Sequence, residues 1–126
     1  MGALHRDDRG QSAVEFALVL PLLLMLILGL LQVGVMVRDQ MMVLGAAREG
    51  ARQATVTGDR EVVAAAARRA APGLNLSVDV ARGRARGDPA TVKVAAAPVA
   101  LPLVGQMVSG LRLRASATMR MERSDE

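Results

Sequence analysis

Cysteine, tryptophan and tyrosine are all missing from this 126-residue chain. Without cysteine there are no disulfides, no thiolate nucleophile and no cysteine-ligated metal, while the compartment stays open because many exported proteins carry no disulfide. Phe16 is the only aromatic residue, so the large side chains that dominate most cores are absent. Alanine, valine, leucine and methionine must fill any core, which predicts a small domain of modest stability that gains from neighbouring subunits. The single histidine, His5, lies in a short tail ahead of Gly10. If that tail is removed, no histidine remains, and nucleophilic chemistry would need Lys93 or a carboxylate as its base. Lys93 stands alone in a strand pattern, and Asp59, Glu61, Asp79 and Asp88 lack metal-ligand spacing. No enzyme and no cofactor are expected.

The net charge is +4, and only Arg6 and Arg9 of its sixteen basic residues precede Gly10. The positive charges are dispersed and no aromatic side chain stands ready to stack on bases, so a solvated basic surface is read rather than a nucleic-acid site.

One feature is present in excess. Phe16–Leu31 contains no charged residue, and after Gln32 the apolar run continues to Val37, where Arg38 and Asp39 close it. The length suits the roughly 20 residues of a membrane-spanning helix, and in lipid such a segment must be helical to satisfy its backbone. Pro21 falls in its first turns, while Gly29 and Gly34 allow close approach of another helix. A conventional secretory signal has a shorter apolar core followed by a small-x-small cleavage site. Gln32–Asp39 offers no such site, so the helix is expected to stay in the mature protein. Arginines flank both ends, leaving orientation open on charge alone.

Glu15 sits at the lip of this run, where a carboxylate is poorly tolerated and functional by default. Five residues before it stands Gly10, followed by Gln11-Ser-Ala-Val-Glu15-Phe16. A glycine, four variable residues, a glutamate, an aromatic residue and an apolar helix resemble a type IV prepilin signal. With the later AAREGARQA, the chain more closely resembles TadE-like proteins, pseudopilins of the tight-adherence (Tad, or Flp, type IVb) pilus system. That resemblance implies cleavage between Gly10 and Gln11 by a membrane aspartic prepilin peptidase on the cytoplasmic side. It makes Gly10 the recognition glycine, Gln11 the new N-terminus, Glu15 the assembly acid and Phe16 its aromatic partner. It also implies residence in the cytoplasmic membrane or pilus, with the N-terminus in the cytoplasm and the C-terminal domain outside. The implied partners are the prepilin peptidase, other pilins or pseudopilins, the inner-membrane assembly platform and the lipid bilayer.

Helix geometry supports the Glu15 role independently. Gln11 and Glu15, four residues apart, share a face and lie about 6 Å apart along the axis. A freed α-amine at Gln11 can therefore pair with Glu15 in the same chain or in a neighbour. Two features depart from the pattern: Asp7 and Asp8 accompany the leader arginines, and Gln11 could cyclise to pyroglutamate, which would abolish the amine.

The remaining chain predicts an α+β fold, with the long helix continuing into a second helix and a three-stranded antiparallel sheet, as in type IV pilins. The first helix is expected over about 12–56, with Gly45 a possible bend and residues 57–59 its end. Ala46, Gly50 and Ala54 form one i, i+4 row that lets a helix or sheet pack closely. Asp59 caps a helix over 60–71, stopped by Pro72-Gly73. Apolar residues alternate with polar ones over 74–80, more weakly over 92–96, and again over 111–121, giving three half-buried strands. Residues 82–89 read as a hairpin containing Arg86-Gly87-Asp88, an adhesive-looking tripeptide that is turn chemistry first. Residues 98–110 read as an apolar loop that covers the sheet, meets a partner or touches the membrane.

The expected divisions are a leader (1–10), an assembly helix (11–37), its extension (38–58), a small outer domain (59–122) and a frayed tail (123–126). The expected function is that of a minor pilin or pseudopilin in Tad pilus assembly. The alternative is an uncleaved single-pass anchor whose outer domain binds a partner.

Overall fold

A computed structural model describes residues 7–82 and 88–120, with side chains described from Gly10 onward. The chain folds as α1 (Asp7–Val56), α2 (Arg60–Ala70), β1 (Leu76–Arg82), β2 (Pro89–Ala96), α3 (Gly105–Val108) and β3 (Leu113–Arg120). This is the expected α+β arrangement, with two main helices and one three-stranded antiparallel sheet of order β1-β2-β3.

α1 passes both Pro21 and Gly45 without interruption. It begins earlier than the apolar pattern indicated, so the Gly10–Gln11 bond lies within a helical turn. Periodicity could not place that start, because the residues ahead of Gly10 carry no apolar stripe. Asp59 caps α2, its carboxylate accepting from the Glu61 N–H at 2.9 Å. Glu61 in the first turn and Arg68 and Arg69 in the last suit the helix dipole.

The alternation of Leu76, Val78 and Val80 directs one face of β1 inward. Antiparallel pairing brings Val80 opposite Val92 and Val94 opposite Ala115, and Arg82 meets Ala90 across the hairpin. Of the tripeptide in that hairpin, Arg86 and Gly87 lie outside the described residues, as does the tail 123–126. β3 is shorter than its pattern, since Leu111 precedes the ladder and Met121 lies outside the described residues. Along it burial fades, from Leu113 (buried) through Ala115 and Ala117 (half-buried) to Met119 (exposed).

The core lies where α1 crosses the sheet and α2. It joins Val43, Ala46, Ala47, Ala51 and Ala54 of α1 to Val63 and Ala67 of α2 and Val92 and Val94 of β2. Among the described residues the largest side chains below 2% exposure are valines and Asp39, so the layers must approach closely to exclude water. Gly50 sets that approach. A Cβ there would stand 3.0 Å from Val92 Cγ1 and 3.4 Å from the Ala67 Cβ.

The segment expected to be an apolar loop contains a helical turn, α3, and is a folded unit. Gly105 donates to the Leu101 carbonyl at 2.7 Å and Val104 to that of Pro102 at 2.9 Å. A Cβ on Gly105 would stand 2.5 Å from the Ala100 Cβ and 3.2 Å from its Cα. Gly105→Val is therefore expected to destabilise the protein by about 1 to 3 kcal/mol, the usual range for overpacking. Thermal unfolding in detergent micelles measures this, and an unchanged midpoint would contradict the tight turn.

Candidate functional site

Every described residue of α1 from Gly10 to Leu31 is exposed or half-buried, and Gln32 is its first buried side chain. The bare, charge-free part that follows Glu15 ends where the domain begins. From Phe16 to Leu31 it measures about 24 Å at 1.5 Å per residue, and with the continuation to Val37 the apolar run reaches about 33 Å, enough for the roughly 30 Å of a bilayer's hydrocarbon core. α1 holds a window of mean hydropathy 2.7, none of it covered by the rest of the chain. The core helix of a soluble protein would be largely buried. This one is long and apolar enough to cross a membrane and protrudes uncovered.

At the N-terminal end, Gln11 Nε2 donates to Glu15 Oε1 at 3.3 Å. Helical spacing brings these two residues together through their side chains. Phe16, next to Glu15, is 64% exposed. Among the described residues, nothing beyond the adjoining backbone of α1 itself lies within 4 Å of a Cβ at Gly10, Gly29 or Gly34. The row Ala46, Gly50, Ala54 is different, because it is spent inside the chain against α2 and β2. Any helix that docks from outside has Gly29 and Gly34 open to it, and not that buried row.

The C-terminal end of the bare segment holds two residues whose role the pattern did not reveal. Gln32 and Asp39 are 2% and 1% exposed, two turns apart on α1. Gln32 Nε2 donates to the Val99 carbonyl at 3.0 Å, and its Oε1 accepts from the Leu101 N–H at 2.8 Å. Asp39 Oδ2 accepts from the Val99 N–H at 2.8 Å. These bonds satisfy an irregular stretch of backbone between Pro98 and Pro102, which has no sheet partner of its own. Two successive turns of α1 thereby clamp the segment after β2. Gln40 adds a bond from Nε2 to the Arg114 carbonyl at 3.1 Å, fastening the start of β3 to the same helix.

Among the described residues no three His, Cys, Asp or Glu side chains converge. An open groove between α1 and α2, lined by Gly45, Glu49, Ala66, Arg69 and Ala70, offers one carboxylate and one guanidinium. It presents no nucleophile beside a base.

No curated protein and no solved structure matches the chain. A family model described as TadE-like protein matches residues 10–52, from the glycine before Gln11 to the turn that fills the core. That match covers Glu15, the bare apolar helix, Gln32 and Asp39, and over this segment, about a third of the chain, the protein is similar to TadE-like proteins.

Proposed function

We propose that this protein is a minor pilin or pseudopilin that takes part in assembling a Tad-type pilus through α1, after a prepilin peptidase cuts between Gly10 and Gln11. The observation that carries the reading is the uncovered apolar helix with a carboxylate at one end and a folded domain clamped at the other. A helix that is bare along its apolar length as far as Leu31 needs lipid or other helices around it. Gly29 and Gly34 leave room for such neighbours, which would be other pilins of the same assembly and its membrane platform.

The same helix supplies core residues Val43 to Ala54 and the clamp on Val99 and Leu101. Its removal as a secretory signal would strip Gln32 from the domain, and retention keeps the fold whole. A short cytoplasmic N-terminus and an outer C-terminal domain follow from cleavage on the cytoplasmic side. Head-to-tail association through α1 then generates an open helical assembly.

Cleavage requires the peptidase to draw out a turn that is helical in the uncleaved chain. Glycine lowers the cost of that unwinding by about 1 kcal/mol relative to alanine and lets catalytic groups approach the backbone. Gly10→Val is accordingly expected to accumulate in the membrane as the full-length precursor. Electrophoretic mobility in cells that contain the peptidase measures this, and processing at the wild-type rate would count against the proposed site.

A further inference from the structure

The segment from Val94 to Leu111 carries no charged residue and is bounded by Lys93 and Arg112. Its middle is held by three hydrogen bonds against Gln32 and Asp39, at the point where the bare helix enters the domain. Two of its large apolar side chains face away from the protein, Leu103 at 86% and Met107 at 84% exposed. Val99 and Leu111 are also exposed. Leu103 adopts φ 69°, a left-handed conformation that a leucine rarely takes. The turn thus holds a bulky apolar side chain outward in a backbone region that suits glycine.

We propose that residues 99–111 form an apolar foot that enters the outer leaflet beside α1, with Leu103 and Met107 among the acyl chains. The inference rests on the proposed membrane placement of α1, with which the foot is continuous. Gln32 lies within the apolar run, about 7.5 Å along the axis before its end at Val37. A segment clamped to Gln32 is therefore at the level of the bilayer boundary. Arg112, next in sequence after the segment, and Arg38, next to Asp39 on α1, are both exposed, and cations at such positions can meet lipid phosphates. An apolar face with flanking cations is the composition of interfacial anchors. The foot would limit how far the domain can tilt or rise on its helix before the subunit is extracted from the membrane.

The absence of tryptophan makes the test direct. Four single-tryptophan variants of the full chain, Leu24→Trp, Leu103→Trp, Met107→Trp and Val56→Trp, are reconstituted in phosphatidylcholine–phosphatidylglycerol vesicles with or without bromine on the acyl chains. The expected result is that tryptophans at 24, 103 and 107 lose most of their emission to brominated lipid. Those at 103 and 107 respond best to bromine near the headgroup, and that at 56 responds only to aqueous iodide. If position 24 is quenched by lipid while 103 and 107 follow position 56, the foot is overturned and the span stands. If 103 and 107 are shielded from iodide without lipid quenching, a second protein copy covers them and the foot is likewise overturned. If position 24 escapes lipid quenching, both the span and the foot fail.

Discussion

Glu15→Val is expected to enter the membrane at least as fully as the wild-type chain and to be lost from assembled pili. Removing a carboxylate from the lip of an apolar helix lowers the cost of insertion. In the uncleaved chain Glu15 is exposed and accepts the side-chain amide of Gln11 at 3.3 Å. Cleavage would add a positive amine four residues away, and packing among neighbouring helices would withdraw both groups from water. Removing one partner of a buried ion pair costs about 3 to 5 kcal/mol, which at tenfold per 1.4 kcal/mol is roughly a hundredfold loss or more. Glu15→Gln keeps the size and an acceptor oxygen without the charge, so it separates ion pairing from hydrogen bonding. Quantifying both variants in sheared pilus fractions and in membranes checks this. Normal incorporation of both would reduce Glu15 to an acid in the headgroup layer.

The largest stability effect is expected at the clamp. Gln32→Leu with Asp39→Leu leaves the Val99 and Leu101 N–H groups and the Val99 carbonyl without their partners. A buried polar group stranded in this way costs about 1 to 3 kcal/mol. The two substitutions release one segment, so their effects will not add. Together they should cost about 3 kcal/mol or more, a fall of roughly 10 to 25 °C in unfolding temperature for a domain this small. Asp39→Asn retains an acceptor for Val99 and should lose less than half as much as Asp39→Leu. Unfolding followed by circular dichroism in micelles reads the difference. Equal, small losses for all of these variants would mean that the clamp carries no stability.

Much of this architecture is legible in the sequence because it rests on local repetition. Leu76, Val78 and Val80 announce a half-buried strand by period, and Asp59 announces a helix start by its ability to cap. The close-packed row Ala46, Gly50, Ala54 is visible for the same reason, although its partners, α2 and β2, are not. Gln32 and Asp39 are the counterexample. Within a hydrophobic run the first reads as an interruption and the second as the end. Their partners lie 60 or more residues away, on an irregular backbone with no periodic signature. The spacing of Pro98 and Pro102 was the available signal. It marks a stretch that cannot join a sheet ladder and must find hydrogen bonds elsewhere. The helical turn at Gly105–Val108 was hidden because four residues are too few to establish a period.

The central claim is that α1 is a retained assembly helix whose N-terminus is made by cleavage. Intact-mass measurement with N-terminal peptide mapping, on protein from cells with and without the prepilin peptidase, tests it directly. The expected result is a chain beginning at Gln11, as glutamine or pyroglutamate, when the peptidase is present, and a chain retaining Gly10 and the residues before it when the peptidase is absent. A chain that keeps its encoded N-terminus in the presence of an active peptidase would contradict the account and leave an uncleaved membrane anchor.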